Sequence, residues 1–235
     1  MKPLQTYYPF GPPIGYAELP KELVNDLNKG CDDIIKDKNL SKSEDWSHQL
    51  VGQVEQELLI PKPVINKWGK WLGREVRTYL FEYLNQFQIP EQSIYKASEE
   101  QTLRAVNNSQ INVKSAWYVR SFAGDYNPMH THTDCELTCV GFLKVPDLSK
   151  ERNKAGDSGE QFKDYSPGGS LEILNSSGST HSHLESDVIG FAPKVGNWYL
   201  FPADLRHLVY PFKGDGERRS FSINMNSSIF GHGTN

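Results

Sequence analysis

The chain has 235 residues, with 25 Lys and Arg against 29 Asp and Glu, for a formal net charge of -4. That balance gives no reason to expect the basic stripe of a nucleic-acid footprint, and no run approaches the roughly 18 apolar residues of a membrane span. A hydrophobic fraction of 37% with 23% charged residues fits an ordinary globular chain, long enough for one large domain. The first eight residues lack the apolar stretch of a signal peptide. Cys31, Cys135 and Cys139 form neither a CxxC pair nor an even framework, so a reducing, cytoplasmic setting is expected.

Tyr8 to Pro13, rich in proline, reads as an extended entry segment, after which Pro20 is suited to the first position of a helix. Leu23, Val24, Leu27, Cys31, Ile34 and Ile35 then keep helical spacing. Residues 38–60 read as polar and irregular, with a short helix near Gln53–Leu59. Beyond Pro61 and Pro63, an apolar face built from Val64, Ile65, Trp68, Trp71, Leu72, Val76, Tyr79, Leu80, Tyr83, Leu84 and Phe87 predicts a long amphipathic helix packed on the outside of a sheet.

The texture changes near residue 111. Candidate strands are Ile111–Phe122, Glu136–Val145, Ser170–Leu174, Val188–Phe191, Asn197–Phe201, His207–Pro211 and Arg218–Met225, separated by turn residues. Residues 149–169 read as an exposed insertion or lid loop. The texture suggests one α+β domain over 1–235, mainly β, with a helical part at 1–110 packed on the outside of a sandwich or barrel core at 111–228.

Four of the seven histidines sit in two H-x-H pairs. The first lies in Asn127-Pro-Met-His130-Thr-His132-Thr-Asp134. Residues two apart on an extended strand face the same way, so these three side chains could line one surface. An imidazole and a carboxylate at that spacing, with a third ligand from another strand, give a two-histidine, one-carboxylate metal face with open positions. His207 is the candidate third ligand. The second pair, His181 and His183 before Glu185, reads as an exposed loop. Arg218, Ser220, Ser222 and Asn224 share one face of the last strand, and Arg219, Phe221, Ile223 and Met225 the other. An arginine facing a dry core would be an unpaired buried charge. A polar interior holding a carboxylate ligand resolves that conflict, because guanidinium binds carboxylate in a bidentate fork.

This ordered set resembles the Fe(II)/2-oxoglutarate-dependent oxygenases, and more closely a 2OG-Fe(II) oxygenase family of marine bacteria and phages. The motifs that carry the resemblance are Trp117, His130-Thr-His132, Val145-Pro146, Phe191-Ala-Pro193-Lys-Val-Gly196-Asn-Trp-Tyr-Leu-Phe201-Pro202, His207-Leu-Val209-Tyr-Pro211 and Arg218-Arg-Ser220-Phe-Ser222-Ile-Asn224. They span roughly residues 111–225. The resemblance implies a double-stranded β-helix (jelly roll) core at 111–228, and a dioxygenase that couples decarboxylation of 2-oxoglutarate to succinate with hydroxylation of a C–H bond, using Fe(II) and O2. It implies His132, Asp134 and His207 as iron ligands, with His130 as the rival that would leave His132 in the carboxylate's place. Arg218 would anchor the far carboxylate of 2-oxoglutarate, helped by Ser220 and Asn224. A small-molecule or peptidyl substrate is expected, its identity open. Two other readings remain: a cupin-like metalloenzyme that does not use 2-oxoglutarate, and a non-catalytic jelly-roll binding module.

Overall fold

A computed structural model describes residues 4–7, 12–49, 51–86, 98–148, 168–174 and 188–230. Along the chain come β1 (Gln5–Tyr7), β2 (Ile14–Glu18), α1 (Lys21–Lys36), α2 (Lys38–Ser43), β3 (Gln56–Leu59), α3 (Lys62–Gln86) and α4 (Glu99–Asn108). Then follow β4 (Ile111–Ser121), β5 (Asn127–His130), β6 (Leu137–Lys144), β7 (Leu171–Leu174), β8 (Val188–Phe191), β9 (Asn197–Pro202), β10 (Arg206–Val209) and β11 (Arg218–Ser227). The strands form a seven-stranded sheet in the order β1-β2-β9-β6-β11-β4-β3 and a four-stranded sheet in the order β5-β10-β7-β8, every pairing antiparallel. This is the jelly roll that the resemblance implies. Among the described residues no helix is long and apolar enough to cross a membrane.

The large sheet separates two kinds of interior. Its outer face carries Tyr118, Cys139, Trp198, Phe221, Ile223 and Met225, which pack against Leu23, Leu27 and Cys31 of α1 and Trp71, Leu72, Val76 and Tyr79 of α3. Each such side chain contributes about 1.5–3 kcal/mol on burial, so this layer is the main store of hydrophobic stabilisation. Gly141 lets the layer close: a Cβ there would lie 2.2 Å from Cε1 of Phe221. The inner face meets the small sheet through Ile14, Val140, Phe142, Leu171, Ile173, Tyr199, Phe201 and Leu205. That second cluster fills one part of the space between the sheets and leaves the rest to polar residues.

Some elements depart from the sequence reading. The helix expected near Gln53–Leu59 is strand β3, paired with β4 along Gln56↔Arg120 to Leu59↔Trp117. Four residues are too few for helical and strand periods to separate, and pairing to a sheet edge decides between them. Helix α1 begins at Lys21, with Pro20 as its N-cap. Helix α2 occupies part of the stretch read as irregular and buries no residue, so it lacks an apolar face. Helix α4 was not expected either, although its N-terminus carries a capping box, Ser98 and Gln101 satisfying each other's backbone N–H. The expected lid loop at 149–169, up to residue 167, and the pair His181 and His183 lie outside the described residues.

Candidate active site

Arg218 and Arg219 are adjacent on β11 and each only 1% exposed, but they point to opposite sides of the sheet. Arg218 faces the space between the sheets. Its Nε donates to the Gly169 carbonyl at 2.9 Å and its Nη1 to Ser220 Oγ at 3.2 Å, and its guanidinium carbon lies 4.9 Å from the Phe142 ring centroid. Its Nη2 is buried without any hydrogen-bond partner. Burial lowers this guanidinium to about 10, which leaves it charged at neutral pH.

The same cavity is lined by His130, His132 and His207, together with Trp117, Ser220 and Ser222. His130 ends β5 and stands directly across from His207 on β10, so the two rings share a face. Their centroids are 4.3 Å apart. His132 lies beyond the end of β5, held by its backbone N–H, which donates to the Ala203 carbonyl at 2.8 Å. Ligand atoms of the three histidines all fall within 4.8 Å of one another, and Nε2 of His132 is 3.1 Å from Nε2 of His207.

The tautomers follow from the partners. Nδ1 of His130 donates to the Pro128 carbonyl at 2.7 Å, and Nδ1 of His207 to the Leu205 carbonyl at 2.8 Å. Each therefore presents an Nε2 lone pair to the cluster, as a metal-binding histidine does. Burial lowers His207 to about 3, with His130 and His132 adding repulsion. Burial also lowers His132 to about 4, with Asn224 beside it working the other way. His130 is lowered by the same cause. Three neutral imidazoles in one place are a donor set for a divalent transition metal. Two nitrogens bound at about 2.1 Å and at right angles would be about 3 Å apart, close to the separation seen, so the residues fit a metal.

The predicted candidates are therefore not all brought together. His130, His132 and His207 converge, whereas Asp134 is exposed, with φ of 60°, and does not join the cluster. The same-face expectation for His130, His132 and Asp134 assumes one continuous strand. β5 ends at His130, and the left-handed residue at 134 turns the chain away. Arg218 and Ser220 line the cavity, while Asn224, fixed by Thr138 Oγ1 at 3.0 Å, stands beside His132. Asn224 thus orients a ring. Missed from sequence were Glu57 of β3 and Asn127 of β5, both on the cavity wall. The one available signal for Glu57 was alternation with the apolar Leu58, obscured by the helical reading.

Residues 115–224 match a family model described as Putative 2OG-Fe(II) oxygenase. Over this stretch the chain is similar to the 2OG-Fe(II) oxygenases, which are enzymes. Among solved structures, a Pseudomonas putida prolyl-4-hydroxylase is 13% identical, with a TM-score of 0.54 over 90% of this chain and 91% of that one. A viral collagen prolyl hydroxylase from Paramecium Bursaria Chlorella virus-1 is 14% identical, with a TM-score of 0.47 over 89% of this chain and 94% of that one. At such identities the likeness to the first is one of fold, the double-stranded β-helix. No curated protein matches this chain significantly in sequence.

Proposed function

We propose that this chain binds Fe(II) through His130, His132 and His207, anchors 2-oxoglutarate with Arg218, and hydroxylates a C–H bond of a small-molecule or peptidyl substrate. The observation that carries this reading is Nη2 of Arg218, a buried donor with no partner in the cavity that the three histidines line. A buried polar group left unpaired costs about 1–3 kcal/mol, more when charged, and a carboxylate ligand removes that cost. Among the described residues no carboxylate joins the histidine cluster, so at the metal only the near carboxylate of 2-oxoglutarate would offset the charge of bound Fe(II).

The chain's own contributions follow from the geometry. His130 and His207 are held by backbone carbonyls in the tautomer that binds metal, so little rearrangement is needed on loading. Trp117, tilted 30° to His132 at 5.7 Å, and Phe201, edge-on to His207 at 5.0 Å, wall the rings and keep water from one side. Ser220 holds the Arg218 fork, and Gly169 lets the backbone approach it. Bound there, Fe(II) with O2 and 2-oxoglutarate would supply the oxidising chemistry, one oxygen atom going to succinate and the other to the substrate, with release of CO2.

Anaerobic titration of the metal-free protein with Fe(II) and then 2-oxoglutarate, followed by visible absorption, tests this. A weak charge-transfer band should require both additions and vanish in Arg218→Ala and His207→Ala. Tight iron binding without a band points to a metalloenzyme that does not use 2-oxoglutarate. Failure to bind iron leaves a binding module.

A further inference from the structure

Glu57 is 1% exposed and sits on the wall of the cavity that holds the histidine cluster and Arg218. Neither of its carboxyl oxygens has a hydrogen-bond partner. Asn127, on the same wall, has a buried side-chain carbonyl oxygen that is also without a partner. By hydrogen-bond geometry these three acceptors on one cavity wall are unpartnered, although the Asn127 side chain lies close enough to Glu57 to favour its charge. Among the described residues, Glu75 is likewise buried but pairs with Arg74, and the partly buried Glu217 pairs with Arg120 and Arg219. Burial raises Glu57 to about 7, the Asn127 side chain opposing the rise and Asp45 adding to it. A carboxyl kept in this condition contributes nothing to stability that a leucine would not exceed.

Its position is separate from the co-substrate anchor. In register, Glu57 lies beside Val119 and Val119 beside Ser220. Glu57 is therefore two strands from the Arg218 and Ser220 corner, about 10 Å away. The cavity has a donor corner on β11 and an acceptor corner on β3 and β5, with Trp117 and Val119 between them. A ligand suited to the acceptor corner brings several N–H donors and positive charge, which would draw Glu57 into its ionised form.

We propose that Glu57, with the Asn127 carbonyl beside it, determines specificity by accepting hydrogen bonds from a cationic nitrogen, so that the substrate class is one bearing a protonated amine or guanidinium. This inference rests on the proposed function for the identity of the neighbouring site, but not for the contact itself.

The test uses n-butylammonium and n-butylguanidinium, with n-butanol and butyrate as neutral and anionic counterparts. Binding is read by saturation-transfer NMR, on the metal-free protein and on protein loaded with redox-inert Zn(II) and 2-oxoglutarate. The two cations should bind at least 10-fold more tightly than butanol or butyrate. Glu57→Gln should remove that preference, Glu57→Asp should restore part of it, and 2-oxoglutarate affinity should stay within twofold in both. Equal binding of cations and butanol by the unsubstituted protein overturns the proposal without any variant, as does a cation preference that survives Glu57→Gln. Glu57→Leu should melt at or above the temperature of the unsubstituted protein. A lower melting temperature together with unchanged cation binding assigns Glu57 a packing role instead. If 2-oxoglutarate itself fails to bind while cation selectivity persists, the co-substrate reading falls and the Glu57 contact stands.

Discussion

Arg218 and Arg219 are equally buried neighbours on one strand, yet they have opposite fates. Arg219, on the helix-covered face, donates from Nε and Nη2 to the two oxygens of Glu217 at 2.8 and 2.9 Å, and lies 2.8 Å from Asp32. Its Nη1 also reaches Asn28. Arg218, on the inner face, finds a carbonyl and a hydroxyl and keeps one nitrogen unpaired. Burial alone does not distinguish structure from site. The distinction lies in whether the protein itself completes the hydrogen bonds of the buried group. For these two arginines, the completed set belongs to folding, and the incomplete one lines a cavity where a ligand could complete it.

The widest test of this comparison is pH. His207 and His132 have folded values of about 3 and about 4, below the ordinary value of 6.5 expected when unfolded. Between those limits the unfolded chain binds more protons than the folded one, so stability falls as pH falls. The loss begins near pH 6.5 and continues toward pH 3, with His207 alone accounting for on the order of 4 kcal/mol. On the other face, Glu217 and Asp32 are lowered by their cationic partners, and their contribution is lost only below their ordinary values of 4.5 and 3.8. Denaturant unfolding of metal-free protein from pH 8 to 4 should therefore show a slope beginning near 6.5. Glu57, raised to about 7, offsets part of this slope, so replacing His130, His132 and His207 together by Gln should reverse the upper part weakly and leave the lower part. A flat profile between pH 6.5 and 5 in the unsubstituted protein would sink the account.

The next largest effect separates the two arginines directly. Arg219→Leu should destabilise the fold by about 3 kcal/mol, the low end for breaking a buried pair, since Glu217 keeps Arg120 and Asp32 is partly exposed. Its affinity for 2-oxoglutarate should be unchanged. Arg218→Leu should do the reverse, keeping or raising stability and weakening 2-oxoglutarate about 100-fold, the loss of two charge-assisted hydrogen bonds. Equal losses of stability in the two variants would mean that both faces are structural.

The same contrast explains what the sequence made legible. Strict alternation over Arg218–Asn224 marked two chemically different faces, and β11 carries both as expected. Long apolar periods likewise revealed α1 and α3. Expected site residues on paired strands, His207, Arg218 and Ser220, come together at one cavity. Asp134 lies outside the histidine cluster because the spacing rule that grouped it with His132 holds only for extended backbone, and Asp134 is left-handed. Glu57 was hidden for another reason. A four-residue strand has no period of its own, and only pairing with β4 gives its carboxyl a direction.

The smallest expected effect tests how the open arginine is held. Gly169 has φ of +66°, and a Cβ there would lie 3.3 Å from Cδ of Arg218 and 3.6 Å from its Nε. Its carbonyl accepts the Arg218 Nε–H. Gly169→Ala therefore strains the backbone, at about 1 kcal/mol of stability, and presses on the side chain whose fork must meet the ligand. We expect a melting temperature a few degrees lower, with 2-oxoglutarate affinity reduced by roughly 3- to 10-fold for a displaced charge-assisted contact. Fe(II) affinity should not change, because no histidine of the cluster touches this turn. Parallel titrations of Fe(II) and 2-oxoglutarate distinguish the outcomes: a selective loss of 2-oxoglutarate makes the arginine corner a separate anchor, whereas matched losses would make it part of the scaffold that holds the metal.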